Sequence, residues 1–152
     1  MKLRFLCPER RRWLMQDVDA AAYTQQQLQD IAARALSSGD TSSAIRLAGS
    51  SLECAELLLL THRQANTGTV AAFQASSGLL SRALEANGSR VLACQVVGGS
   101  IATLQGIDAD SETVEHIRLA CLTLLSTLHD GDRQPRTHLT GHRQGRSLGA
   151  SQ

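Results

Sequence analysis

The stretch RVLACQVVGGSIATLQG, residues 90–106, decides the fold class, because its pattern fits either a hairpin or a helix. In a hairpin, Val91–Val97 and Ser100–Gly106 would pair as strands across a turn at Gly98 and Gly99. In a helix, apolar side chains at spacings of three and four would share one face, and each glycine would cost about 1 kcal/mol relative to alanine. The hairpin predicts an α+β domain, and the helix predicts an all-α domain.

The composition favours the helix. The chain has 152 residues, enough for one domain with a core, and 42% of them are hydrophobic while only 3% are aromatic. Strands favour β-branched and aromatic side chains, whereas a core of Ala, Leu, Val and Ile suits closely packed helices. An isolated two-stranded hairpin is also marginally stable, and KLRFLC at residues 2–7 is the only other strand-like stretch.

Four other segments share the helical periodicity of residues 90–106. Each places apolar or small side chains at alternating spacings of three and four. The five stripes are Ala21, Thr24, Leu28, Ile31 and Ala35; Ile45, Ala48, Leu52, Ala55 and Leu59; Val70, Phe73, Ser77, Leu80 and Leu84; Cys94, Val97, Ile101 and Leu104; and Val114, Ile117, Cys121, Leu124 and Leu128. Because the intervening loops are short, neighbours should be antiparallel. We predict an all-α fold, an antiparallel bundle of four to five helices with flexible basic termini; α+β with a small hairpin at 90–106 is the alternative.

Charge divides the chain into three predicted regions. Residues 1–12 carry five basic groups and one acid, and residues 131–152 carry four arginines and one aspartate, while the net charge is only +1. The part between the ends is therefore acidic. We expect an N-terminal basic and apolar arm over residues 1–18, a helical bundle domain over 19–130, and a disordered basic tail over 131–152.

The predicted cellular location rests on the cysteines and on the N-terminal sequence. The four cysteines are far apart and have neither C-x-x-C nor zinc-site spacing, and three lie in apolar stripes, where buried free thiols are expected. The N-terminus lacks the apolar core of a secretory signal, and the run Leu57–Leu60 is far too short to span a membrane. We expect a soluble cytoplasmic protein of bacterial origin with no membrane span.

Motifs for catalysis or metal binding are not evident. Glu53 and Glu56, and likewise Glu112 and His116, lie at helical spacing, but exposed flanks of amphipathic helices explain both pairs. The cysteines lack a matched base, and no P-loop, dinucleotide fingerprint or H-E-x-x-H motif occurs. The prediction is a protein that is not an enzyme, with no catalytic, cofactor-binding or metal residues and no cofactor.

The leading functional prediction is a protein–protein interaction module: an adaptor, chaperone-like or regulatory protein. It would bind another protein, or itself as a homo-oligomer, through an apolar helix face. The leucine run at residues 57–60 widens the apolar side of its helix, and an exposed apolar patch is typical of a partner-binding surface. The paired glycines inside a helix indicate a place where another element packs closely. The predicted partner-binding residues are Leu57, Leu58, Leu60, Gly98 and Gly99.

A nucleic-acid-associated regulator is the alternative. The basic termini would contact phosphates, and the helical pair around residues 28–48 has helix-turn-helix spacing at Ala35, Gly39 and Ile45. Recognition helices are usually short and basic, which this second helix is not. The predicted nucleic-acid contacts are Arg10, Arg11, Arg12, Arg46, Arg133, Arg136, Arg143 and Arg146.

Overall fold

The structure, a computed structural model, describes residues 3–133 and the side chains of residues 3–130. Over this range the chain is all-helical and contains no β-strand. Six α-helices are present in the described residues, and the third continues into a π-helical turn. In order, the elements are α1 Pro8–Gln16, α2 Val18–Ser37, α3 Thr41–Glu56, the π-helical turn Leu57–Thr61, α4 Thr67–Ala86, α5 Arg90–Gln105 and α6 Ser111–Arg133.

The decisive stretch forms helix α5, so the all-α prediction is confirmed and the alternative hairpin at 90–106 is wrong. Ala93, Val97, Ser100 and Leu104 form its buried face. Each fully buried Val or Leu side chain contributes about 1.5–3 kcal/mol, which offsets the roughly 1 kcal/mol that each of the two glycines costs.

Helix α1 lies in the predicted N-terminal arm and brings the described helices to six, against the four to five predicted. It begins at Pro8. Proline fits the first turn of a helix because the backbone N–H that it lacks would have no acceptor within the helix. Leu14 of α1 is fully buried. Of the predicted tail, residues 131–133 end α6, and residues 134–152 lie outside the described part of the chain.

Short polar caps set the helix boundaries. Four side chains each accept a hydrogen bond from the backbone N–H three residues later, which satisfies a first-turn donor. These side chains are Asp17, Asp40, Asn66 and Asp110. Positive φ angles of 82° at Gly39 and 79° at Gly88 end α2 and α4 in the left-handed conformation that glycine adopts without strain.

Helix α4 is the centre of the fold, since it packs against α2, α3, α5 and α6. Cross-helix contacts give the directions of the helices. Thr41 at the start of α3 contacts Asn87 at the end of α4, and Arg90 at the start of α5 donates to the carbonyl of Leu128 near the end of α6. Gln25 of α2 likewise contacts Ser51 of α3, and Ser77 of α4 contacts Ser100 of α5, so helices that follow one another from α2 to α6 run antiparallel. None of the described helices combines the length and hydrophobicity needed to cross a bilayer.

On three helices one position of the predicted stripe is exposed, and the other predicted positions of each stripe are buried or half-buried. The predicted core residues Ile31, Cys94 and Val114 are exposed, and the adjacent residues Ala32, Ala93 and Thr113 are buried instead. Ala32 and Ala93 are smaller than their exposed neighbours Ile31 and Cys94, so α2 and α5 can approach the adjacent helices closely at these positions. The larger apolar residues consequently remain at the surface.

Candidate functional site

A cleft with a volume of about 380 Å³ opens between α3 and α5. Phe73 and Leu80 of α4 form its floor, and both are buried. The α3 wall consists of Gly49, Leu52, Glu53 and Glu56, and the α5 wall includes Val96, Gly99, Ser100 and Thr103. The cleft therefore has an apolar base, and the charged groups among its lining residues belong to α3.

The chain's own N-terminal segment, Leu3–Cys7, lies along one side of this cleft. Leu3 and Phe5 line the cleft, while Arg4 between them is exposed. The segment is not helical, and α1 begins directly after it. Leu3 and Phe5, which are two residues apart, therefore both place their side chains in the cleft, as alternate residues of an extended peptide would.

Glu53 holds the backbone of this segment. Its Oε1 accepts hydrogen bonds from the N–H groups of Phe5 and Leu6, the latter at 3.2 Å. Its Oε2 accepts a hydrogen bond from the Arg11 guanidinium at 3.2 Å, which also forms an ion pair. Glu53 is only 4% exposed, so its charge is compensated by these three donors rather than by water. It was predicted to be an exposed helix flank, and that prediction is wrong because the segment covers it.

Gly49 makes room for the Phe5 ring. A Cβ at this position would overlap the ring, so no side chain can stand there unless Phe5 moves. The ring consequently lies directly on the α3 backbone, one helical turn before Glu53. Gly49 and Glu53 together form a subsite for an aromatic residue and its backbone N–H.

The two glycines of α5 differ in their surroundings. A Cβ at Gly98 or at Gly99 would meet no atom within 4 Å, so close packing inside the chain requires neither. Gly99 lines the cleft, whereas Gly98 is exposed and is not among the lining residues. The missing side chain at Gly99 leaves the cleft open on the α5 side.

The polar groups beside Gly99 are already engaged. Ser100 Oγ donates to Ser77 Oγ of α4 at 2.9 Å, and Thr103 Oγ1 donates to the Gly99 carbonyl at 3.0 Å. These hydroxyls satisfy one another or the backbone. Besides these engaged hydroxyls, the α5 wall offers a bound peptide the apolar side chain of Val96 and the side-chain amide of Gln95, which also lines the cleft.

The predicted leucine surface lies mostly inside the molecule. Leu57 and Leu58 are 1% and 4% exposed and pack in a cluster with Leu14 of α1, whereas Leu60 is 49% exposed. The wider π-helical turn directs Leu57, Leu58 and Leu59 inward together. The side chains of Leu57 and Leu58 are thus not at the surface, and their neighbour His62 contacts the Leu14 carbonyl at 2.7 Å.

The structure does not gather the predicted nucleic-acid residues into one described surface. Arg10, Arg12 and Arg46 are exposed, and Arg11 is paired with Glu53. The side chains of Arg133, Arg136, Arg143 and Arg146 lie outside the described residues.

None of the four cysteines is among the residues that line the cleft. Within residues 3–130, no group of three or more His, Cys, Asp or Glu side chains is placed to hold a metal ion. Burial raises the pKa of the Cys54 thiol to about 12 and also raises the pKa of Cys121. Cys94 was predicted to be buried but is exposed, as is Cys7.

Sequence patterns indicate only part of this site. Gly99 was singled out from its place inside a helix, but the contribution of the N-terminal segment was missed because Pro8 and the following arginines obscure its packing. The run of small residues Gly49, Ser50 and Ser51 in α3 is a signal that some element approaches this helix closely.

Three features of the cleft bear on function. Its floor is apolar, its α5 wall lacks a side chain at Gly99, and its buried carboxylate, Glu53, holds a segment of polypeptide. In comparisons with known proteins, no family model, no curated protein and no solved structure matches this chain.

Proposed function

We propose that the protein is a non-enzymatic interaction module that binds an apolar, basic segment of a partner protein in the cleft between α3 and α5. The observation that carries the proposal is that this cleft already binds polypeptide, namely the chain's own N-terminal segment. The partner segment would occupy the open part of the cleft or replace the N-terminal segment. An adaptor or regulatory protein would use such a site, and four free cysteines are compatible with a reducing cytoplasm.

The dimensions of the cleft support binding. Its volume of about 380 Å³ falls within the range of ligand pockets, roughly 300–1,000 Å³. Each leucine or phenylalanine that a partner buries on the floor of Phe73 and Leu80 would contribute about 1.5–3 kcal/mol before the cost of ordering the segment. Two such anchors would supply about 3–6 kcal/mol, so the polar contacts of the α3 wall must add to them before binding outweighs the cost of association.

The chemistry of the α3 wall supports a basic segment. Glu53 and Glu56 line this wall, and Arg11 of the chain's own N-terminal region forms an ion pair with Glu53. A partner with apolar residues at alternate positions and arginine or lysine nearby would reproduce the same pattern. Charge of the opposite sign would also guide its approach.

The test uses a fluorescent peptide that copies residues 2–12, with Cys7→Ser to prevent disulfide formation. The receptor is the full chain carrying Phe5→Ala, which weakens the hold of its own segment. We expect saturable binding, and we expect a scrambled peptide of the same composition to bind at least about tenfold more weakly, a difference of about 1.4 kcal/mol.

Gly99→Leu and Gly98→Leu form a matched pair for the same titration. Both add a leucine to α5 where a Cβ meets no atom, but only Gly99 lines the cleft. We expect Gly99→Leu to weaken peptide binding about tenfold or more and Gly98→Leu to change it less than about twofold. Equal effects of the two variants, or equal binding of the scrambled peptide, would exclude this cleft as the binding site.

A nucleic-acid-associated regulator has weaker support. Arg11 is held by Glu53, and α2 and α3 stay in contact as far from their connecting turn as Gln25 and Ser51. Helix-turn-helix pairs diverge from the turn at a large angle instead. If nucleic acid were the partner, binding would weaken steeply with salt, which a titration would detect.

A further inference from the structure

Three half-exposed leucines lie on the outward side of α6, among the exposed polar residues Arg118, Ser126 and His129. Leu119, Leu122 and Leu125 are 47%, 52% and 47% exposed, although the opposite side of the same helix already packs in the core. A surface helix normally turns polar residues to solvent on this side. We call these three residues the leucine face.

The leucine face is symmetric about Leu122. A helix turns about 100° per residue, so Leu119 and Leu125 lie one turn before and after Leu122 and about 60° to either side of it. Glu115 and His129 lie seven residues before and after, within about 20° of the same line. A rotation of 180° about an axis that passes through Leu122 perpendicular to the helix therefore exchanges Leu119 with Leu125. The same rotation exchanges Glu115 with His129.

This symmetry fits a second copy of the chain. When two α6 helices pack antiparallel across Leu122, Leu119 of one copy meets Leu125 of the other, and Glu115 meets His129. Glu115 and His129 are both exposed, and Glu115 is also bonded to Arg118 of its own helix at 2.6 Å. Parallel packing would instead bring Glu115 against Glu115 and Arg118 against Arg118, and like charges disfavour that arrangement.

We propose that the protein forms a two-fold symmetric dimer through antiparallel α6 helices, with the leucine face at its centre. The interface is isologous, because the same surface of each copy serves both sides. It involves α6 alone and does not depend on the cleft between α3 and α5. Each dimer would therefore carry two clefts.

The first test measures molecular mass by sedimentation over a wide range of protein concentration. We expect the full chain to approach twice its mass of 16.3 kDa as concentration rises. Leu122→Glu places two carboxylates at the two-fold axis and should give a monomer throughout. Ile31→Glu, which changes a comparably exposed apolar residue on α2, should dimerise as the wild type does. A wild type that stays monomeric, or equal loss of dimer in both variants, would overturn the proposal.

The second test fixes the orientation by oxidative cross-linking in a chain carrying Cys7→Ser and Cys94→Ser. Leu122→Cys should cross-link to itself, because Leu122 lies on the two-fold axis. Leu119→Cys should form disulfides when mixed with Leu125→Cys but not when alone. Cross-linking of Leu119→Cys with itself, and none in the mixture, would contradict the antiparallel arrangement.

Discussion

Glu53 illustrates how one side chain attaches the N-terminal segment to the helices. Its carboxylate is almost fully buried and accepts hydrogen bonds from two successive backbone N–H groups and one guanidinium. A buried charge is tolerated only when such partners replace its hydration. The geometry therefore selects a peptide with free N–H groups at two consecutive residues, and proline would not fit at either position.

Cys54 gives a prediction for the pH dependence of stability. Burial raises the pKa of its thiol from about 9 to about 12, so the folded chain keeps a proton that the unfolded chain loses. The contribution of Cys54 to stability is full below about pH 9 and is lost as pH rises towards 12. Between about pH 9 and 10.5 the wild type should lose roughly 1–2 kcal/mol more of its free energy of unfolding than Cys54→Ala does.

Urea unfolding at several pH values measures this difference. Cys94→Ala removes an exposed thiol and should follow the wild-type curve. If Cys54→Ala showed the same decline as the wild type above pH 9, ionisation of the buried thiol would not be the cause.

At the scale of the element, three glycines inside helices predict opposite effects of the same substitution. Gly98→Ala and Gly99→Ala add a Cβ that meets nothing, so each should raise the free energy of unfolding by about 0.5–1 kcal/mol through helix propensity. Gly49→Ala gains the same propensity but drives a Cβ into the Phe5 ring, and we expect it to destabilise the chain by about 1–3 kcal/mol.

Denaturant unfolding of the three variants, followed by circular dichroism, compares these effects. Trp13 is the one tryptophan of the chain and lies in α1, so its fluorescence reports separately on the N-terminal region. Gly49→Ala should change this fluorescence, and the two α5 variants should not. Stabilisation by Gly49→Ala would show that Phe5 does not pack on α3 in solution.

The positions of the helices along the chain could be predicted more completely than the side of each helix that is buried. Spacings of three and four located α2 to α6, because amphipathic periodicity depends on local sequence. Which side of a helix is buried also depends on the neighbouring helix that packs closest to it. On α5 the small Ala93 is buried and the larger Cys94 is exposed. The π-helical turn and the docking of Phe5 against Gly49 depend on contacts far apart in sequence, which periodicity does not report.

At the scale of the whole molecule, packing is concentrated on α4, and the N-terminal region is the most peripheral described part. Helix α4 packs against four other α-helices, whereas α1 packs only lightly, chiefly against α2 and the π-helical turn. Segments with few packing partners open at lower free-energy cost than the centre of a domain. The proposed release of the N-terminal segment from the cleft thus fits the distribution of contacts.

Native-state hydrogen exchange tests this hierarchy in the intact chain. The amides of Phe5 and Leu6 donate to Glu53, and they should exchange by local opening at least about a hundredfold faster than the Leu80 amide in α4. Glu53→Gln weakens the acceptor and should speed exchange at Phe5 and Leu6 beyond any change at Leu80. If Phe5 and Leu6 exchanged as slowly as Leu80, the segment would open only with global unfolding, and a partner could not replace it in the folded protein.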